Sequence, residues 1–300
     1  MKFPKHVNIH EVCPRDGWQR YQQILPTDVK IDLIKSMIDY GCNEIELGVF
    51  SKIPKLTRQY QDIEVLAAAI LPYAKAHGVK ITSLVNDYED ACRSLDAGIS
   101  DVSCFLSVSE EFAKGFDTTA EKSFADLAEI TKLPSIKVTL ALGAVFGSPF
   151  GDETPASRSI DYARRGIALG ASAIGLADSA GMGTPAQIKD ILTKFLDCFS
   201  PSQLSVHLHN TEGFGIANAY AALECGITDF DTSLGAMGGC PVIPNAKGNI
   251  ATEDFVNLLD KLGIGSDVDM EKCVAASLEM SRRIGNPVIS AKAELARTQQ

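Results

Sequence analysis

The sequence predicts an α/β protein of the (β/α)8 TIM-barrel class with a C-terminal helical extension. Three observations carry this reading. Eight short runs rich in β-branched residues alternate with helical stretches along the 300 residues. Four glycines stand between a helix end and the next strand: Gly41 before Ile45, Gly98 before Val102, Gly170 before Ile174 and Gly226 before Phe230. Each fits the αβ loop of a repeated unit. The first strand runs into CPRDGWQ, which lacks the GxGxxG turn of a doubly wound nucleotide-binding sheet.

The elements follow in order. VNIHEV (7–12) opens the barrel. In TDVKIDLIKSMIDYG, Leu33, Ile34, Met37 and Ile38 share one helical face, with Thr27 as N-cap and Gly41 as stop. Strands two to five are NEIELG (43–48), KITSLV (80–85), DVSCFLS (101–107) and IKVTLAL (136–142). SAIGLAD (172–178), LSVHLHN (204–210) and TDFDTSL (228–234) complete the eight. No linker interrupts the chain, so residues 1–300 read as a single domain, with the barrel over about 5–265. Residues 266–300 read as an amphipathic helix and a polar tail.

Composition narrows the function. Lys and Arg number 28 against 38 Asp and Glu, a formal charge of −10, which argues against nucleic-acid binding. An anionic small molecule stays open, because a few local cations suffice to hold one. No run is long and apolar enough for a membrane span, and MKFPKHVNIHEV has no secretory character. The eight cysteines form no CxxC pair and read as reduced thiols of a cytoplasmic protein.

In a barrel of this class, chemistry gathers at the C-terminal ends of the strands. Asp16 follows strand one, His207 and His209 end strand seven, and Asn249 lies in a Gly-rich loop after strand eight. Residues i and i+2 of a strand point the same way, so both imidazoles can face the mouth. The set is either a group of hydrogen-bonded rim residues or the N/O shell of a divalent cation such as Mg²⁺, Mn²⁺ or Co²⁺. Closed tetrahedral Zn²⁺ suits it less, for want of clustered thiolates. Arg15 can grip an enolate or carboxylate oxygen, or form a rim salt bridge. Glu11 and Glu46 are strand carboxylates whose burial demands partners, so both suggest function, although Glu46 also fits an ion pair with a neighbouring strand. Asp178 fits a proton relay or a helix N-cap near Thr184. Cys240, in GAMGGCP, fits an acid–base thiol or an inert turn residue.

These motifs resemble the 3-hydroxy-3-methylglutaryl-CoA lyase family over roughly residues 5–285. The stretches that carry the likeness are EVCPRDGWQ (11–19), LADSAGMGTP (176–185), HLHNTEGFG (207–215) and GAMGGCPVIPNAKGNIATED (235–254). The resemblance implies Asp16, His207, His209 and Asn249 as metal ligands. It implies Arg15 as the enolate stabiliser and Cys240 as a proton-shuttling thiol, with Glu46, Glu11 and Asp178 assisting. The implied reaction is retro-Claisen cleavage of an acyl-CoA to acetyl-CoA and a keto acid, acetoacetate in the parent case, as in leucine degradation. A homodimer is implied as well. The alternative is a Claisen-type synthase or an aldolase acting on another keto or hydroxy acid. Several positions depart from the family pattern: Trp18, Asn210, and the loops GVFSKIPKLTRQYQD, FDTTAEKSF and GAVFGSPF. Lys52, Lys55 and Lys114 are candidates to meet CoA phosphates.

Overall fold

A computed structural model describes residues 3–240, 242–243, 246–287 and 290–299. Eight parallel strands close into a barrel in chain order, and the last pairs with the first. They are β1 (Asn8–Glu11), β2 (Glu44–Phe50), β3 (Lys80–Val85), β4 (Asp101–Ser107), β5 (Lys137–Gly143), β6 (Ala173–Asp178), β7 (Leu204–Leu208) and β8 (Asp229–Thr232). One long helix follows each strand: α1 (Thr27–Asp39), α2 (Ile63–His77), α3 (Tyr88–Asp96), α4 (Ala120–Ile130), α5 (Ala156–Ala168), α6 (Pro185–Leu196), α7 (Gly215–Glu224) and α8 (Thr252–Leu262).

Local chemistry sets the helix ends. Asp87 caps α3 by accepting from Asp90 N at 2.9 Å, and Thr184 with Gln187 forms a capping box on α6. Thr27 is not a cap. It is the first helical residue, Pro26 precedes it in extended geometry, and its hydroxyl donates to Asp62 at 2.7 Å. Gly41, Gly98, Gly170 and Gly226 all have positive φ, between 87° and 107°, as the αβ turns require.

The hydrophobic core lies between the sheet and the helices. Strand residues that face outward are apolar and buried: Val138, Leu140 and Leu142 on β5, Ile174 and Leu176 on β6, Leu204 and Val206 on β7. Each contributes about 1.5–3 kcal/mol by leaving water. Phe230 of β8 meets Phe255 of α8 with ring centroids 4.7 Å apart. Trp18 is fully buried in this core.

The C-terminal extension holds two helices where the sequence suggested one: α9 (Met270–Ile284) and α10 (Ala291–Arg297). Buried Glu253 ties both to the barrel. It accepts from Ser277 and Ser290 at 2.6 Å each, and from Gly235 N at 3.2 Å in the loop after β8. Among the described residues, no helix is long and apolar enough to cross a membrane.

Candidate metal centre and active site

The loop after β1 coils into a tight π-turn, Cys13–Gly17, in which Asp16 N and Gly17 N both bond Val12 O. A Cβ on Gly17 would sit 3.0–3.2 Å from Cys13, Ser233 and Met237, so the turn packs against the loop after β8. This aims Asp16 into the barrel mouth. Arg15 lies beside it, with Nε on Glu46 Oε2 at 2.5 Å and Nη1 on Asp16 Oδ1 at 2.8 Å. Tyr60 donates its hydroxyl to the Arg15 carbonyl and steadies the turn.

On β7, alternation sends Ser205 and His207 inward, and His209 continues the series just past the strand end. His207 Nε2 and His209 Nε2 stand 3.0 Å apart, and His209 Nε2 is 3.6 Å from Asp16 Oδ2. Asn249 is brought alongside by an antiparallel bridge to His209. Its Nδ2 donates to Asp16 Oδ2 at 2.7 Å and to Met237 O at 3.2 Å. Gly238, at φ 131°, clears the space: a Cβ there would lie 2.5 Å from Asn249 Nδ2 and 2.7 Å from Asp16 Oδ2.

The electrostatics suit a cation. Burial would raise the Asp16 carboxyl, but Arg15, His209 and His207 hold it well below the usual carboxylate range. Burial lowers His209 to about 4, against the pull of Asp16. His207 moves up instead: burial opposes this, but Asp231 Oδ2 sits 3.0 Å from its Nδ1. That carboxylate fixes the ring so that Nε2 faces the mouth, the support metal-binding imidazoles usually have. One ligand atom each from Asp16, His207 and His209 falls within 4.8 Å of the others. Asn249 Oδ1 is buried and without a partner. The mixed N/O set of Asp16, His207 and His209 fits a divalent cation, and a flip of the Asn249 amide, which here presents Nδ2 to Asp16, would turn its orphaned oxygen towards the same site.

The HMGL-like family profile matches residues 6–279. The chain belongs to the HMGL-like family. A Bacillus subtilis protein named hydroxymethylglutaryl-CoA lyase is 32% identical, with 97% of each chain covered. A Chloroflexus aurantiacus protein named (R)-citramalyl-CoA lyase is 33% identical, covering 94% of this chain and 92% of that one. Among solved structures, an HMG-CoA lyase from Acinetobacter baumannii in complex with coenzyme A and 3-methylmalate superposes with a TM-score of 0.93. It is 32% identical, and the match covers 98% of this chain and 96% of that one.

In this HMGL-like barrel, Arg15, Asp16, Glu46, His207, His209 and Cys240 line one cavity of about 280 Å³. Cys240 sits among Phe112, Ala144, Ala180 and Ile243, and burial pushes its thiol up to about 12. Burial also raises Glu46, with Arg15 pulling it down.

Glu11 and Asp178 are placed elsewhere. Alternation turns their neighbours His10 and Ala177 inward, and both carboxylates outward into the sheet–helix layer. Glu11 accepts from Cys13 N, Leu234 N, Thr252 and Tyr40. Asp178 accepts from Met182 N at 3.1 Å and Gly183 N at 3.0 Å, and so shapes the loop before α6. Lys52 and Lys114 are spent on surface pairs with Glu89 and Glu111, and the Lys55 side chain lies outside the described residues. Two residues went unnoticed in the sequence, Asp231 and His10. The inward spacing of DFD on β8 was the available signal.

Proposed function

We propose that this chain is a divalent-cation-dependent carbon–carbon lyase. It cleaves a 3-hydroxy-3-methylglutaryl-CoA-like thioester to acetyl-CoA and a keto acid, acetoacetate in the parent case. The observation that carries this reading is the convergence of Asp16, His207 and His209 on one rim beside a buried guanidinium, in an HMGL-like chain. The relatives named as acyl-CoA lyases support it, as does the coenzyme A and 3-methylmalate held by the A. baumannii structure.

Asp16, His207, His209 and Asn249 would hold the cation, Mg²⁺ or Mn²⁺ above Co²⁺ or Zn²⁺. When bound, the cation supplies Lewis-acid polarisation of the substrate's hydroxyl and carboxylate oxygens. Glu46 Oε2 is tied to Arg15, while its other oxygen accepts no protein hydrogen bond among the described residues. That oxygen takes the hydroxyl proton. The bond between the carbinol carbon and the thioester α-carbon then breaks, and a carbonyl forms. Arg15 uses Nε and Nη1 on its two carboxylates, which leaves Nη2 for the enolate oxygen. The Cys240 thiol, kept neutral by burial, delivers a proton to the enolate carbon.

Asn210 does not favour the synthase alternative. Its Oδ1 accepts from Gly215 N at 2.9 Å and fixes the start of α7. The test is incubation of the purified protein with 3-hydroxy-3-methylglutaryl-CoA and citramalyl-CoA plus Mn²⁺, with mass-spectrometric detection. Acetyl-CoA release that chelator abolishes is expected. Absence of turnover with either thioester, in protein shown to bind Mn²⁺, would overturn the reading.

A further inference from the structure

Barrels of this class normally fill their interior with layers of bulky branched side chains. This one does not. On β4 to β8 the residues that point outward are buried, and those that point inward stay partly accessible. Thr139 and Ala141 of β5, Ala173 and Gly175 of β6, and Ser205 of β7 form a wall of small residues. The cavity at the mouth therefore continues below His207 as a shaft that reaches Ser202 and Gln203 at the opposite rim.

Nothing in the fold requires the emptiness. Gly175 has no positive φ, and a Cβ on it would come no nearer than 3.4 Å to any atom, Ser205 Oγ. A larger residue has room there, so the glycine leaves space that packing does not demand.

The shaft mixes apolar wall, from Leu84 and Phe105, with polar groups. Ser103, Thr139 and Ser205 turn hydroxyls into it, and none bonds another protein group among the described residues. The facing wall carries Glu44, Asp229 and Asp231, already paired with Lys80 and His10. These carboxylates would repel an anionic group. An alkyl group would strip the free hydroxyls of hydrogen bonds. A neutral hydroxyl-bearing group meets both walls. Ser205 stands two residues below His207, about 7 Å along the strand, which is room for a branch several atoms longer than methyl.

We propose that the shaft is an acyl subsite for a substrate whose carbinol carbon carries a neutral hydroxyalkyl branch in place of methyl. This rests on the lyase reading above. The bond broken is the same one. The hydroxyl proton leaves as the carbonyl forms, one proton returns to the thioester α-carbon, and the branch departs unchanged on the keto acid.

The test compares three 3-hydroxyglutaryl-CoA thioesters whose third carbon bears methyl, 4-hydroxybutyl or n-pentyl, assayed with Mn²⁺. The hydroxybutyl compound is expected to exceed both others in kcat/KM, by about tenfold or more over methyl. Gly175→Leu should collapse the hydroxybutyl-to-methyl ratio by about tenfold or more, because it blocks the shaft. Ser205→Ala should lower the hydroxybutyl-to-pentyl ratio, and it keeps the test open if Gly175→Leu does not fold. Cleavage of the methyl thioester at least as well as the hydroxybutyl one, with a ratio that Gly175→Leu leaves unmoved, would overturn the subsite and leave the lyase reading standing. Failure to cleave any of the three would remove both.

Discussion

Two pairs of carboxylates, one turned into the barrel and one turned into the helix layer, behave in opposite ways. Asp16 and Asp231 face the barrel interior and are held low, against burial, by cationic or imidazole neighbours. Glu11 and Asp178 face the helix layer and are satisfied by neutral donors. Burial raises Glu11 to about 7, against Tyr40, Thr252 and two backbone amides, and raises Asp178 to about 6. Burial alone therefore does not mark a chemical group. A carboxylate kept ionised by a charged neighbour is available to a cation, whereas one wrapped in amides and hydroxyls braces loops.

The sharpest way to break this comparison is Asp16→Asn. It keeps the size and removes the charge. We expect kcat/KM to fall by about three orders of magnitude or more, with Mn²⁺ binding lost in calorimetry and the circular-dichroism spectrum retained. Wild-type turnover in that variant would mean that Asp16 is a rim residue only.

Asp231→Asn probes the same side one step back. Its target is the orientation of His207, so cation affinity should weaken by about 10–100-fold while the protein stays folded. Unchanged Mn²⁺ affinity would show that His207 needs no support.

The barrel and half the site were legible because both rest on strand periodicity. All eight expected strands are present, displaced by no more than two residues at either end. The alternation that paired His207 with His209 was equally readable in NIHE and LAD, where it puts His10 and Ala177 inward and Glu11 and Asp178 outward. The charge of Glu11 and Asp178 was weighed ahead of the face that each occupies. Asp231 escaped because its role is set by His207, 24 residues away, and only the β7–β8 register brings them together. The second C-terminal helix is held by Glu253 through Ser277 and Ser290, a tertiary contact with no local signature.

Glu11→Gln tests the other half of the comparison. Burial lifts the folded-state pKa of Glu11 to about 7, above the ordinary carboxylate range of the unfolded chain. Such a group contributes stability that is fully present below the unfolded value and is lost as pH rises through the folded one. Glutamine does not titrate, so the penalty of Glu11→Gln, measured by urea melts, should be largest near pH 4.5 and shrink towards pH 7. The change should be on the order of 1–3 kcal/mol. A penalty that grows with pH would mean that Glu11 is held ionised, like Asp16, and the contrast between the two faces would be gone.

The smallest effect belongs to charge pairs outside both regions. Lys114 pairs with Glu111 at 2.6 Å, but the two side chains are 66% and 47% exposed. Water screens such a pair, and holding two long side chains together costs entropy, so it adds little net stability. Lys114→Ala should leave the urea-melt midpoint indistinguishable from that of the parent protein. The kinetic arm decides more. A lysine that only pairs with Glu111 leaves the KM for a CoA thioester within about twofold at 0.15 M salt, where charges are screened beyond ~8 Å. A KM rise of about tenfold, fading as salt is raised, would show that Lys114 leaves Glu111 to meet the CoA phosphates. Charge would then matter at the rim as well as inside the barrel, and the distinction between interior and surface would have to be redrawn around the bound thioester.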